Sequence, residues 1–563
     1  MARIQDFEGL QYSRNGDEFE KLDYAFFNQQ YATSSYQAER GMDPELIVRP
    51  KNDDDVVKAV KYARKNNISI AVKSGGHQYS GASSTTGKNI QIDLSNAYKD
   101  LMIIKPKDPI AEDRALVYVG VSIRNIELNT YLKHNKLFVP HGQCAYVGIG
   151  GHGQTGGYGQ CARSFGLFGD SIRTITIVDY EGQIKDVSKA SDPELFWAIL
   201  GGSPGNFGII THYIIEVYKS NSYIGTVAGP NNFKGPHGIK ALWVYNKKLL
   251  KDLLDVVAEM ADDPAVPRGF DLCVSVLSTD FPIATLFKDL ASGKEWQKMQ
   301  AKLEKILDED FLTFLGGLFP ASIILYAQWC PTSKGDKYDA SVDAWFAKFR
   351  NMKGFSLQFR EFDMEMASMT GQWIFPNERE FDLPYDKRAY STNSRTLVKD
   401  GWSAVATERI DLIYNPKPAI DGQKGAKFEL FDRCKLAVQI QAFGGDNSRF
   451  FLNRDNGTSY SWRDTTVVQV LDCFHRDDPT SKGYAQKWQA ENDAIMNGPN
   501  STFSKQDRRL LWGSYGDWNL SDEKVWRTYY EDEEKYKRIG KARAKADPHG
   551  TFTPNPFAVK AQP

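Results

Sequence analysis

Three glycine-rich passages hold most of the residues in this chain whose types and spacing could do chemistry. The first, Val72-Lys73-Ser74-Gly75-Gly76-His77-Gln78-Tyr79-Ser80-Gly81, follows a short apolar strand pattern. Paired glycines after a strand let backbone amides approach an anion closely. The spacing fits neither a Walker A loop nor a dinucleotide GxGxxG, so a tight turn with an incidental histidine stands beside the anion-cradle reading. The second passage runs from His141 to Gly159 and has eight glycines in nineteen residues, with Cys144 and His152 among them. Such a composition is expected to exclude a helix or strand core, so something must use that backbone. The third, Gly201-Gly202-Ser203-Pro204-Gly205-Asn206-Phe207-Gly208, contains GxSxG, which raises a serine nucleophile at Ser203. A nucleophile elbow needs a strand before the serine and a helix after it. Here a helical pattern precedes and the strand pattern IITHYIIEVY follows, so Ser203 reads as a loop residue.

The elements that must position these passages follow from hydrophobic periodicity. A helix over 55–66, with Val56, Val57, Val60 and Ala63 on one face, leads to a strand at 68–73. Further strands are expected at 89–95, 115–122, 174–180 and 209–218, with a helix over 122–135. Beyond about residue 222 come longer helical patterns at 247–260 and 294–309, set among strands at 270–278, 322–329, 435–443 and 466–474. A charged helix is expected over 522–547, stopped by Asp547-Pro548. The stretch Phe311–Ser333 carries no charge, but Gly316-Gly317 and Pro320 would break a membrane helix, and ASIILYAQW reads as a buried strand.

Composition narrows the function classes. With 563 residues, 41% hydrophobic, and 70 Lys+Arg against 71 Asp+Glu, the chain is globular and carries no net field to draw nucleic acid or an anionic membrane. Neither partner is expected. The six cysteines, at 144, 161, 273, 330, 434 and 473, include no CxxC pair and no Cys/His cluster for a metal. The start, MARIQDFEGL, lacks a leader pattern, so a cytoplasmic location is expected unless a leader has been removed.

Taken jointly, VKSGGHQYSG, GQCAYVGIGGHGQTGGYG, DPELFWAILGG and GNFGIIT resemble the flavin domain of the vanillyl-alcohol-oxidase/p-cresol-methylhydroxylase superfamily, most closely its berberine bridge enzyme-like branch, which includes oligosaccharide and hexose oxidases. The resemblance implies an α+β protein with a two-domain FAD-binding fold and an antiparallel-sheet substrate domain covered by helices. The FAD domain is expected from 1–220 and 500–563, and the substrate domain from 221–499. It further implies FAD bonded through His77 to the 8α-methyl and through Cys144 to position 6 of the ring. Two such links would anchor an exposed ring and raise its potential. The cofactor-binding set it suggests is Lys73, Ser74, Gly75, Gly76, His77, Gln78, Gly81, Cys144, Val147, Gly148, Gly151, His152, Gly153, Gly156, Gly157, Gly159, Gly205, Asn206, Gly208 and Ile209. At the position of Val147 the family's oxidases carry valine, which implies O2 as acceptor and hydrogen peroxide as co-product.

On the substrate side, Tyr79 matches a site tyrosine of the oligosaccharide oxidases. Gly513-Ser514-Tyr515-Gly516-Asp517-Trp518 resembles the segment that supplies a catalytic tyrosine, with Asp517 and Trp518 departing from its Asn and Tyr. Tyr515, assisted by Tyr79, is therefore the expected base, taking a hydroxyl proton as hydride leaves for the flavin. An unperturbed tyrosine near pKa ~10 is a poor base, so the site would have to lower it. Period-two alternation puts Gln439 and Gln441 on one strand face, and Gln441 stands where sugar oxidases carry an aspartate. The tail Tyr536-Lys537-Arg538-Ile539 resembles the family's closing motif, with Lys535 a departure from its asparagine. The expected reaction is oxidation of an alcohol, a sugar or oligosaccharide lactol going to its lactone. The alternatives are a biosynthetic oxidase acting on an alkaloid, polyketide or terpenoid alcohol, a flavin-binding protein with little catalysis, and the serine hydrolase.

Overall fold

A computed structural model describes residues 3–16, 44–78, 82–224, 235–278, 321–374, 383–414, 434–506, 509–511 and 519–563. Strands β1 (Leu10–Ser13), β2 (Pro44–Arg49), β3 (Ile70–Lys73) and β4 (Gly87–Asp93) form a sheet in the order β1-β2-β4-β3, with β4 parallel to both its neighbours. Helix α1 (Asp53–Asn66) connects β2 to β3. It starts two residues earlier than its apolar periodicity suggests, because the Asn52 side chain accepts the Asp55 N–H at 3.0 Å and aspartates at 53 to 55 suit the helix dipole. Its buried face is Val56, Ala59, Val60 and Ala63.

A second, antiparallel sheet is built from β5 (Leu101–Ile104), β6 (Arg114–Gly120), β7 (Leu137–Phe138), β8 (Ile172–Val178), β9 (Ile184–Ser188) and β10 (Ile209–Lys219), in the order β5-β6-β10-β8-β9 with β7 beside β10. Between these strands lie α2 (Asn125–His134), α3 (Ile149–Gln154), α4 (Ala162–Phe165) and α5 (Pro193–Ile199). Helix α3 corrects the expectation that the second glycine passage excludes helix. Its glycines serve packing: a Cβ on Gly150 would stand 2.9 Å from Ser74 Oγ and from Val121 Cβ, and one on Gly153 would stand 2.8 Å from Ile172 Cδ1. Tertiary fit outweighs the low helix propensity of glycine over so short a span.

The third sheet has seven strands: β11 (His237–Val244), β12 (Phe270–Ser278), β13 (Ala321–Trp329), β14 (Ser356–Asp363), β15 (Tyr385–Thr392), β16 (Cys434–Ala442) and β17 (Val467–His475). Their order is β14-β11-β13-β12-β16-β17-β15, with every pairing antiparallel. Helices α6 (Lys247–Asp262), α7 (Ala340–Arg350), α8 (Trp402–Tyr414) and α9 (Pro479–Met496) contribute Leu253, Phe346, Trp402 and Trp488 to the core under one face. The architecture is the expected α+β one. Strands β11, β14 and β15 go beyond those read from periodicity, and the helix expected at 294–309 lies outside the described residues. Among the described residues no helix is long and apolar enough to cross a membrane.

The single tail helix expected over 522–547 is two, α10 (Glu523–Tyr529) and α11 (Glu533–Ala546). Tyr530 turns extended, and Asp532 caps the new start by accepting the Lys535 N–H at 2.7 Å. The tail then runs back over the amino-terminal half. Ile70 N–H donates to Thr551 O at 2.7 Å, Asn206 Nδ2 to Phe552 O at 2.6 Å, and Val559 N–H to Ser203 Oγ at 3.0 Å. Ser203 is thus a buried structural residue in a loop between α5 and β10.

The second and third sheets are joined through α4. The backbone N–H groups of Arg163 and Ser164 donate to Asp271 Oδ1 on β12, and Ser164 Oγ donates to Asp271 Oδ2 at 2.6 Å. Burial lifts the Asp271 carboxyl to about 7, against the bonds from Ser164 and Gln328 and the field of Arg163, which pull it down. In an unfolded chain an aspartate titrates near ~4. Between about pH 4 and pH 7 the folded chain therefore holds a proton that the unfolded chain has lost, and this group's contribution to stability falls as pH rises through that window, by up to ~1.4 kcal/mol per unit. The free-energy difference between wild type and Asp271→Asn should shift against wild type from pH 4.5 to 7 and level off above it. Urea titrations at four pH values check this, and a difference independent of pH would contradict it.

Candidate active site

The first and second glycine passages meet backbone against backbone. A Cβ on Gly75 would lie 2.4 Å from Gly148 N, and one on Gly148 would lie 2.6 Å from Gly75 N. Only glycine permits this approach, and it brings the turn carrying His77 and the loop carrying Cys144 to one cleft. Gly76, at φ +64°, makes the turn just before His77. The third passage joins through Gln154, whose Nε2 donates to Gly150 O at 3.1 Å and whose Oε1 accepts the Gly205 N–H at 2.9 Å.

The cleft holds about 1190 Å³ of atom-free space, its open mouth included. Of the expected residues, Ser74, Gly75, Gly76, His77, Gln78, Cys144, Val147, Gly148, Gly151, His152, Gly205, Gly208 and Gln439 line it. Tyr79, Gly81 and Tyr515 lie outside the described residues, although Gln78 and Ala82 on either side of Tyr79 and Gly81 both line the cleft. The others stand behind the wall. The Lys73 ammonium is buried 3.4 Å from Asp93 Oδ2. Asn206 reaches the tail, and Ile209 is in the core. Gly153 packs on Ile172, Gly156 and Gly157 turn the chain at φ +106° and +74°, and a Cβ on Gly159 would strike His141 O. Gln439 and Gln441 do share a face, with Gln439 Nε2 3.4 Å from Gln441 Oε1, but Gln441 is buried and its Nε2 donates to Gly159 O at 2.6 Å.

Several lining residues escaped the sequence reading. Gln143, whose Nε2 is 3.6 Å from Cys273 Sγ, connects the Cys144 loop to the third sheet. Gln154, Thr155 and Tyr158 stand inside the second passage, where glycine density was the only signal. Tyr158 donates its hydroxyl proton to Leu511 O at 2.8 Å, and burial pushes its pKa up, so it is no base at neutral pH.

The electrostatics are those of a neutral slot. Among the described lining residues there is no Asp, Glu, Lys or Arg. Burial lowers His152 to about 3, and its Nε2 accepts the Gly142 N–H at 2.9 Å. His141 is lowered as well by burial. Five of the six cysteines are buried, and burial pushes the Cys273 thiol up to about 11, whereas Cys144 is half-buried at the cleft. A slot walled by glycine backbone, without carboxylates to repel a diphosphate, suits a dinucleotide. Cβ positions on Gly151 and Gly205 open onto it, with nothing within 4 Å of the first and only Val72 Cβ, at 3.8 Å, near the second. The imidazoles of His77 and His152 and the half-buried sulfur of Cys144 line it, and a cysteine sulfur that is not fully buried is able to form a covalent bond.

Residues 44–188 match the FAD binding domain family. Berberine bridge enzyme-like 19 of Arabidopsis thaliana is 30% identical over 274 residues, covering 45% of this chain and 46% of that relative, so the chain spans less than half the length of the relative it matches. Among solved structures, a glucooligosaccharide oxidase from Acremonium strictum, described with a 6-S-cysteinyl, 8α-N1-histidyl FAD, superimposes with a TM-score of 0.65 at 14% identity over 98% of this chain and 97% of its own. The 6-hydroxy-D-nicotine oxidase of Arthrobacter nicotinovorans gives a TM-score of 0.67 at 18% identity, with both chains covered completely, 100% each. At these identities the likeness to solved structures is one of fold. Over residues 44–188 the chain thus carries a segment of the FAD binding domain family, it is similar over part of its length to a berberine bridge enzyme-like relative, and it shares its fold with these oxidase structures.

Proposed function

We propose that the protein is an FAD-dependent oxidase that converts an alcohol, in the first instance a sugar or oligosaccharide lactol, and passes the electrons to O2 as hydrogen peroxide. The observation that carries this reading is the Gly75–Gly148 contact, which brings His77 and the one half-buried cysteine, Cys144, to the lining of the same neutral cleft. His77 and Cys144 would hold the cofactor covalently, while the glycine turns and Gln154 shape the slot for its diphosphate. Bound there, FAD supplies a hydride acceptor. Tyr515, assisted by Tyr79, would take the substrate's hydroxyl proton. Two tethers support that assignment: Tyr158 on the cleft wall holds Leu511, four positions before Tyr515, and Gln78 at the cleft directly precedes Tyr79. Val147 at the cleft supports oxygen as the acceptor. We propose the division into an FAD domain of about 1–220 and 500–563 and a substrate domain of about 221–499. It is supported by the tail residues Leu510, Ile539 and Phe552 sharing a core with Val48 and Ile92, whereas Met496 joins the core of the seven-stranded sheet; Phe503, just past the proposed boundary, still packs in that second core.

One observation favours the biosynthetic reading. Gln441, at the position where sugar oxidases carry an aspartate, is spent on Gly159 O, and the same sheet face holds a buried apolar cluster with Ile324, Tyr326 and Trp373. Oxygen consumption with a panel of oligosaccharides and of hydrophobic alcohols tests both. Peroxide formed with sugars supports the first reading, peroxide with hydrophobic alcohols alone supports the second, and no oxygen uptake by the flavin-loaded protein with any alcohol would refute both.

A further inference from the structure

We propose that Asn125 is a positioning residue that holds Cys144 for its bond to the flavin. The inference rests on the bicovalent FAD reading above and names the residue that makes the second bond possible.

Between β7 and α3 the chain that carries Cys144 is irregular, and its shape is set from outside by the start of α2. Asn125 N–H donates to Val147 O and Ile126 N–H to Ala145 O, each at 3.0 Å. The Asn125 side chain then reaches between these two bonds, its Nδ2 donating to Cys144 O at 3.2 Å and, at the longer distance of 3.5 Å, to Gly142 O. Cys144 O also accepts the Val147 N–H at 3.4 Å, so the cysteine's own peptide is held from two sides. A cysteine whose backbone is fixed has one remaining torsion, with three staggered positions for its sulfur. Fixing the peptide therefore decides where the sulfur can stand.

Asn125 is fully buried, and its Oδ1 has no hydrogen-bond partner. A leucine of similar size would avoid that unpaired oxygen. The position makes use of the donor half of the amide, and that half points at the cysteine loop.

The bond joins Cys144 Sγ to C6 of the isoalloxazine. The thiol proton and the C6 proton are lost, and the two electrons released pass through the ring to dioxygen, which leaves as hydrogen peroxide. Asn125 touches none of the reacting atoms and acts only through the placement of Cys144.

The test compares wild type with Asn125→Leu, which removes the donor, and Asn125→Asp, which keeps the shape and exchanges the amide for a carboxyl. Each protein is loaded with FAD, sampled over time, digested and weighed, so that peptides linked through His77 alone are counted against those linked through both residues. In the variants the Cys144 bond should form roughly tenfold more slowly or worse, with the His77 bond and the thermal midpoint close to wild type. Wild-type rates of the Cys144 bond in both variants would overturn the role of Asn125 and leave the cofactor reading standing. Loss of both bonds together with lowered stability would assign Asn125 a merely structural part and overturn the proposal. A wild-type protein with no flavin on Cys144 would overturn the cofactor reading itself, and the proposal with it.

Discussion

Alanine at Gly75 or Gly148 should strip the protein of its cofactor. The added methyl at either site stands 2.4 to 2.6 Å from the other passage's backbone, where no flexible side chain can yield. The two loops must separate, and forcing atoms into a packed contact costs about 1–3 kcal/mol. The larger effect is geometric, since the turn bearing His77 and the loop bearing Cys144 would no longer face one slot. FAD bound per chain should fall by about tenfold or more, a loss worth at least ~1.4 kcal/mol of binding. Gly151→Ala is the internal comparison, because a Cβ there meets nothing within 4 Å and points into open space. That variant should melt within a degree or two of wild type while binding FAD more weakly. Equal loading in all three variants would show that the contact between the passages does not shape the cofactor site.

The second large effect is expected at Arg163 on α4. Its side chain is almost wholly buried, and it donates to the carbonyls of Gly444, Pro267, Phe270 and Val266 and to Asn447 Oδ1, so one guanidinium closes several loops of the seven-stranded unit. Arg163→Met would leave those carbonyls without a donor and Asp271 without its neighbouring positive charge. Removing one partner from such a buried arrangement costs about 3–5 kcal/mol. Arg163→Lys should recover less than half, because an ammonium has three donors against five in a planar fork. Guanidinium titrations read both values. A loss under ~1 kcal/mol in the methionine variant would mean that these carbonyls find other donors, and the joint between α4 and β12 would lose its assigned importance.

How much of this was legible in the sequence depends on the range over which each feature is decided. Helix α1 and strands β3, β4, β6, β8, β10, β12, β13, β16 and β17 show their local period and flanking signals, and they stand where periodicity puts them, with ends shifted by caps such as Asn52. The break at Tyr530 had a local signal too, an aspartate at 532 able to cap a new helix, hidden in a run of charges. Strand β14 escaped because its alternation of Leu357 and Phe359 breaks off at Arg360-Glu361, and it lies at the edge of its sheet with both apolar side chains exposed. The helical state of Ile149–Gln154 was out of reach, since its glycines are chosen by Ser74, Val121 and Ile172, none of them close in sequence.

The site divides the same way. His77, Cys144 and the glycines around them were read from their motifs, and they do share one cleft. Alternation put Gln439 and Gln441 on one face. Which of them meets the cleft is set by the approach of Gly159 to β16, a contact between residues 282 positions apart. Arg163, Asp271 and Asn125 are ordinary residues in sequence and become important only through the elements that fold around them.

The central claim is that the slot between the two glycine passages holds FAD, bonded to the chain at both His77 and Cys144. Its most direct test is the absorbance spectrum of the purified protein, followed by acid precipitation of wild type, His77→Ala, Cys144→Ala and the double variant. The account predicts a yellow protein whose colour stays with the pellet in wild type and in each single variant and is released to the supernatant in the double variant. A colourless protein that cannot be reconstituted with FAD, or a double variant that keeps its flavin through acid, would contradict it.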